Sequence, residues 1–247
     1  MGYHWNWGVF FSRVPSGETT YLGWFLQGLQ WTAAMSLSSW MVALLLGALL
    51  GVLRTVPDRW LAGIAAAYVE VFRNVPLLVQ LFVWYFVIPE LLPEQLGTAI
   101  KNTSPLLQQF LAGMLCLGLF TAARVCEQVR SGIGALARGQ KNAGLAMGLT
   151  LPQTYRFVLL PMAFRIIVPP LTSEFLNIFK NSAVVSTIGF IELSRQAQQL
   201  VDYTAQPYEA FIAVTLAYLA LNAIIMLVMR RVEAGTRVPG FIAAGET

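Results

Sequence analysis

From Tyr21 to Leu53 the chain carries no aspartate, glutamate, lysine, arginine or histidine. A helix rises about 1.5 Å per residue and the hydrocarbon layer of a bilayer is about 30 Å thick, so about 20 apolar residues cross it. This stretch is more than long enough. It is also too long for the apolar core of a cleavable leader, has no basic residue immediately before it and is followed by more apolar sequence, so it reads as a retained span. Only 11% of the 247 residues are charged, against about 25% in an ordinary soluble domain. With 57% hydrophobic residues and a mean hydropathy of +0.63, the chain is expected to be an all-α integral membrane protein.

The remaining spans are less uniform. A second runs from Trp60 to Ile88 but is interrupted by Glu70, Arg73, Asn74 and Pro76; a third, from Leu106 to about Ala123, is clean. The fourth, Met162 to Lys180, contains Arg165, Pro169, Pro170, Glu174 and Lys180, and the fifth, Tyr208 to Met229, stops at Arg230 and Arg231. Ala183 to Ile191 is too short to cross alone and suits an interfacial or re-entrant piece. Five spans are expected, or six if that segment joins a longer helix. With the N-terminus outside, the inner loops and helix ends hold Arg54, Arg59, Arg124, Arg130, Arg138, Lys141, Arg156, Arg165, Arg230, Arg231 and Arg237. The outer side then keeps only Arg13, Lys101, Lys180 and Arg195, an asymmetry that favours N-out, C-in. Residues 1–20 become an extracytoplasmic segment, 21–231 the membrane domain (spans about 21–53, 60–88, 106–123, 162–180 and 208–229), and 232–247 a cytoplasmic tail. A net charge of +4, spent on orientation, gives no reason to expect nucleic acid.

One inner loop is unusual. "GLAMGLTLPQTYRFVLLP", Gly144 to Pro161, is too polar to span and too apolar for a solvated linker. Helix is expected over Gly139 to Met147, with Gly148 as its stop and Pro152 starting a second helical turn after Leu149. Ala143, Leu145, Ala146 and Leu149 then either rest on lipid headgroups or enter a partner's groove.

These residues resemble a known pattern. Asn142-Ala143-Gly144, then Gly148, then Leu159-Leu160-Pro161 is similar to the "EAA...G.........I.LP" loop of ABC importer permeases, the coupling helix that seats in a cleft of the ATPase subunit. Asn142 stands where that family has an acidic residue and Gly144 where it has its second alanine. "EVFRNVPLLVQLF", Glu70 to Phe82, resembles a signature of polar amino-acid permeases, with Asn74 in place of the usual glycine. "TYRFVLLPMAFRIIVPPLTSEFLNIFKNSAVVSTIGFIEL", Thr154 to Leu193, and "RVPGF", Arg237 to Phe241, look most like the glutamate/aspartate subgroup. The resemblance, over roughly Thr20 to Phe241, implies a type I ABC importer permease fold with a cytoplasmic coupling loop over 139–161, in a bacterial inner (cytoplasmic) membrane. It implies a second permease subunit (hetero-pair or homodimer), two ATPase subunits inside and a soluble amino-acid-binding protein outside. Asn142, Ala143, Gly144, Gly148, Leu149, Pro152, Leu160 and Pro161 are the implied ATPase-coupling residues.

ATP has no seat in this chain. A phosphate-binding loop needs Gly-Lys before Ser or Thr, but Lys101, Lys141 and Lys180 are each followed by asparagine and none is preceded by glycine. Any ATP is therefore expected on a partner ATPase, with no cofactor here. Hydrolytic chemistry is equally unsupported, since the single histidine is His4 and no GxSxG elbow occurs. Cys116 and Cys126 lack metal-ligand spacing and read as packing residues. The substrate path is expected at the intramembrane polar groups: Arg73, beside the helix-weakening Pro76, with Glu70 and Asn74 on the same helix, and Glu174, Asn177, Lys180 and Asn181 on the fourth span. Arg73 either closes an ion pair with Glu70 that only fixes packing, or joins Lys180 in a cationic path for an anionic amino acid. On residues alone, a stand-alone ion-coupled carrier or channel for small polar solutes stays open beside the ATP-driven permease.

Overall fold

The structure, a computed structural model, describes residues 3–236; residues 237–247, with the Arg237 to Phe241 stretch, lie outside the described residues. The long elements are α1 (Tyr21–Leu53), α2 (Arg59–Asn74), α3 (Leu77–Leu91), α5 (Pro105–Gly134), α7 (Leu151–Ile188) and α9 (Pro207–Thr236). The shorter ones are α4 (Glu94–Lys101), α6 (Arg138–Ala146) and α8 (Leu193–Thr204). Among the described residues the extended backbone pairing is a single bridge between Arg13 and Thr20. Helices α1, α5, α7 and α9 are each long and apolar enough to cross a membrane, and the α2/α3 pair, bent by 103°, makes a fifth crossing if it is one span. A sixth does not arise from Ala183 to Ile191, because Ser182–Ile188 is a tightened 3-10 continuation of α7 that stops at Gly189 with φ +89°.

Local chemistry sets the boundaries. Side-chain oxygens of Thr20, Asp58 and Ser104 accept the free amides at the starts of α1, α2 and α5. The α2/α3 bend falls at Pro76, which has no N–H to continue the ladder. The carbonyls freed there are taken up by buried Gln80, whose amide donates to Phe72 O and Val75 O at 2.9 Å each. Helix α5 runs eleven residues past the apolar stretch ending at Ala123, to Gly134. Its polar continuation is held by the Arg54–Glu127 ion pair to the end of α1, with Arg130 on the same carboxylate at 2.9 Å. The expected tail likewise starts as helix, since α9 continues to Thr236.

Three apolar clusters stack along α1. Tyr21 and Phe25 pack at one end with Leu193, Ala197, Leu200, Ala210 and Val214; Met35 sits mid-helix with Cys116, Leu117, Ile178 and Phe190; Ala43 meets Val125, Val129, Ile133 and Ile167 near the other end. Helix α1 lies against α5 through glycines. A Cβ at Gly51 would come 2.5 Å from Val129 Cβ and 2.8 Å from Cys126 O, so only hydrogen fits. Without a hydrophobic drive between helices in lipid, such close backbone approach is the main source of association. Both cysteines are free and buried in α5.

The N-terminal segment is a folded cap rather than a loose extension. Val9, Phe10 and Val14 are buried on the first cluster, and Glu209, fully buried, accepts the Asn6 amide at 2.6 Å and the Tyr3 hydroxyl. Nearby, the fully buried Glu192 caps α8 through the Arg195 amide at 2.8 Å and accepts the Tyr218 hydroxyl at 2.8 Å. Burial pushes the Glu192 carboxyl above its ordinary range, against the hydrogen bonds that favour its ionised form.

Candidate functional site

Arg73, Arg124, Glu127, Gln128 and Glu174 converge on a polar cavity of about 320 Å³. Arg73 lies fourteen residues into α2, about 21 Å from its start, Glu174 lies twenty-three residues into α7, and Arg124 is about 15 Å from the end of α5. Three helices therefore bring charge to one cavity. Inside a membrane a charge needs a partner or a wet space, and the broken α2/α3 helix needs one too.

The charges are not evenly satisfied. Glu127 is gripped by Arg54 and Arg130. Glu174, whose side chain is 10% exposed, has Arg124 at 3.9 Å from Oε1, while its Oε2 is buried with no hydrogen-bond partner. Arg73 makes no ion pair among the described residues, so of the two readings open in the sequence the closed pair with Glu70 is absent. Glu70 instead accepts the Asn74 amide at 3.0 Å, four residues along α2, while Arg73 faces the cavity. Of the residues expected on the path, Arg73 and Glu174 meet. Asn177, Lys180 and Asn181 follow farther along α7 and do not line the cavity, and Lys180 is exposed.

A second hollow of about 380 Å³ follows one face of α9 between Pro207, Tyr208, Phe211, Ile212, Thr215 and Leu216. No charged side chain lines it, and its Thr215 hydroxyl is spent on Phe211 O at 2.7 Å.

At the basic end, α6 and the start of α7 form a compact helical hairpin. Gly148 has φ +84°, with Gly148 N–H on Leu145 O and Leu149 N–H on Gly144 O, a glycine-terminated helix stop. Thr150 and Gln153 form a reciprocal capping box, and Pro152 occupies the first turn of α7. Asn142, Ala143, Leu145, Ala146 and Met147 are exposed, as is Pro152; Leu149 and Leu160 are half-buried. Gly144 is placed otherwise than expected. It is buried against Thr154, whose Cγ2 would lie 2.8 Å from an added Cβ, so its small size serves the hairpin rather than an outside surface. Pro161 does not end the element either. The helix passes through it, because a π turn at Tyr155–Leu159 shifts the hydrogen-bond register just before the missing Pro161 N–H.

Sequence reasoning took Arg124 for an orientation residue and did not single out Glu127 or Gln128. The local signal was there: Arg124, Glu127 and Gln128 fall within a turn and a half of α5, on one side of it.

A helical membrane domain with a charged cavity and an exposed helical hairpin at its basic end is the build of a solute permease that takes part in a larger machine. The sequence fits the family described as "Binding-protein-dependent transport system inner membrane component" over residues 43–238, and the chain belongs to that family. It is 59% identical over 241 residues to the glutamate/aspartate import permease protein GltJ of Escherichia coli (strain K12), covering 97% of this chain and 98% of that one. It is also 30% identical over 220 residues to the glutamate/aspartate import permease protein GltK of Escherichia coli O6:H1, covering 89% and 93%. Among solved structures, an amino acid ABC transporter crystallised with histidines matches with a TM-score of 0.74 and 29% identity over 87% of this chain and 95% of that one. The chain is thus a permease component of an ABC transport system, the non-catalytic membrane part.

Proposed function

We propose that this permease carries glutamate and aspartate inward across a bacterial cytoplasmic membrane. It crosses that membrane several times, with its N-terminus outside and α6 in the cytoplasm. Its partners are a second permease related to the 30% identical relative, two ATPase subunits that bind the ATP, and a soluble binding protein that delivers substrate. The name of the 59% identical relative supports the substrate. The observation that carries it is the charge inventory of the cavity. With Glu127 held by Arg54 and Arg130, the groups that face a solute are Arg73 and the loosely paired Arg124 and Glu174, 3.9 Å apart, two cations and one anion. An acidic amino acid is their complement, with two carboxylates and one ammonium. A guanidinium takes a carboxylate through two parallel hydrogen bonds, and the Glu174 carboxylate, whose Oε2 has no hydrogen-bond partner, would accept a hydrogen bond from an ammonium.

The exposed apolar residues at the end of α6, Leu145 at 41% and the following Met147 at 73% exposed, dock in the ATPase cleft. The test uses the assembled transporter in proteoliposomes with its binding protein, comparing labelled glutamate and aspartate with glutamine and arginine. Preference for the acids is expected; equal uptake of arginine would defeat the charge argument. In parallel, Met147→Asp should release the ATPase on purification, and a retained ATPase would remove α6 as the docking surface.

A further inference from the structure

We infer that Tyr155 and Arg54 form a lateral tie by which movement of α6 repositions Glu127 and so one wall of the cavity. The inference rests on α6 being the docking element. Its steps are contiguous contacts. Gly144 of α6 seats on Thr154, and the next residue, Tyr155, is 7% exposed. The Tyr155 hydroxyl donates to Thr55 O at 2.7 Å and lies 3.1 Å from Thr55 Oγ1, joining segments 100 residues apart in sequence. Thr55 is fixed to the end of α1, its amide and hydroxyl both donating to Val52 O at 2.9 and 2.8 Å. Its neighbour Arg54 pairs with Glu127, which lines the cavity.

Two routes therefore leave the hairpin for the cavity. The axial route runs up α7 to Glu174, but it begins with the π turn Tyr155–Leu159, whose irregular ladder can absorb a displacement. The lateral route leaves at the first residue of that turn, ahead of the soft joint. It ends in α1, which has no slack against α5 because an added Cβ at Gly51 or Gly47 would already overlap Val129 or Val125. A displacement of α6 thus reaches Glu127 through stiff contacts and Glu174 through a compliant one. Tyr155 and Arg54 touch no solute; they are positioning residues. Spatial continuity alone does not show that a route carries coupling, so the test must measure coupling itself.

Tyr155→Phe keeps the ring and removes only the tie. In proteoliposomes holding the assembled transporter and binding protein, the ATPase should co-purify in unchanged amount and ATP hydrolysis continue. Solute moved per ATP hydrolysed should fall about two- to tenfold, the range for one lost hydrogen bond. Arg54→Gln should fall similarly and Arg54→Lys much less. The double variant Tyr155→Phe with Arg54→Gln should fall no further than the larger single loss, since members of one series do not multiply as independent sites do. Wild-type stoichiometry in Tyr155→Phe, or multiplied losses in the double variant, overturns the tie. Loss of the ATPase from Tyr155→Phe overturns it in favour of a docking or folding role. If Met147→Asp retains the ATPase with full transport, the docking assignment fails instead, and the tie falls with it.

Discussion

Arg73→Gln is the sharpest test of the cavity, because the structure separates two outcomes that the sequence leaves entangled. Were Arg73 neutralising Glu70, its loss would strand a carboxylate in the membrane and harm folding. Glu70 is instead bonded to Asn74, and Arg73 has no ion pair among the described residues, so removing its charge strands nothing. Expression and ATPase association should be unchanged. Transport of glutamate and aspartate should fall by the worth of a charge-assisted hydrogen bond, about 1.5 to 3 kcal/mol, or roughly ten- to 150-fold. The neutral amides should lose far less, since a glutamine side chain still donates to a carbonyl. Glu127→Gln is the contrasting control: it deprives Arg54 and Arg130 of one shared carboxylate, whose side chain is only 20% exposed, and should lower yield and thermal stability before selectivity. The assay is counter-substrate uptake in the assembled transporter with its binding protein. Equal losses for acids and amides, or a failure of Arg73→Gln to accumulate, would refute the reasoning.

Gly148, at φ +84° with open space around its Cα, should cost about 1 kcal/mol when changed to alanine and less as asparagine; melting of the purified complex reads both. An added Cβ at Gly132 would meet Ile167 Cγ1 at 2.3 Å, so Gly132→Ala should cost about 1 to 3 kcal/mol in the wild type and less in an Ile167→Ala background, which a melting series checks. Folding raises the Glu192 carboxyl above its ordinary value of 4.5, so the folded chain binds that proton more tightly than the unfolded one. The stability it contributes is complete below that value and lost as pH rises through the raised one. Wild-type melting should fall more steeply than that of Glu192→Gln between pH 5 and pH 8 (about three decades of proton activity); parallel curves would contradict the assignment.

Elements set by local chemistry were legible in the sequence. The Gly148 stop, the restart near Pro152 and the break at Pro76 follow from φ freedom, capping and a missing N–H, all readable within a few residues. Features set by contacts between distant segments were not. Hydropathy ended the third span near Ala123, whereas α5 is carried onward by an ion pair between Arg54 and Glu127, 73 positions apart. The same blindness reduced residues 3–20 to a segment, although Asn6 and Glu209 meet across 203 positions. Gly144 misled for a related reason: a small residue at a suspected docking surface looks like room for a partner, and only the fold reveals Thr154 behind it. Glu70 and Arg73 had the right helical spacing for an ion pair, but Asn74, one position farther along, offers Glu70 a shorter reach.

The ions of this chain divide by where their partners lie. Glu127 takes both of its cations from the chain itself, at the ends of α1 and α5, and those bonds exist whether or not a solute is present. Arg73 and the far oxygen of Glu174 have no such partner, and an unmatched charge inside a membrane is costly on any scale. A fold tolerates that cost when water fills the space or when a solute supplies the missing counter-charges. The α2/α3 break at Pro76 turns the chain aside three residues beyond Arg73, which lines the cavity. The satisfied ions can therefore hold the helices in register, while the unsatisfied ones reward a solute of matching charge. A substitution that exchanged these roles, pairing Arg73 within the chain, would make the protein easier to fold and poorer at selecting what it carries.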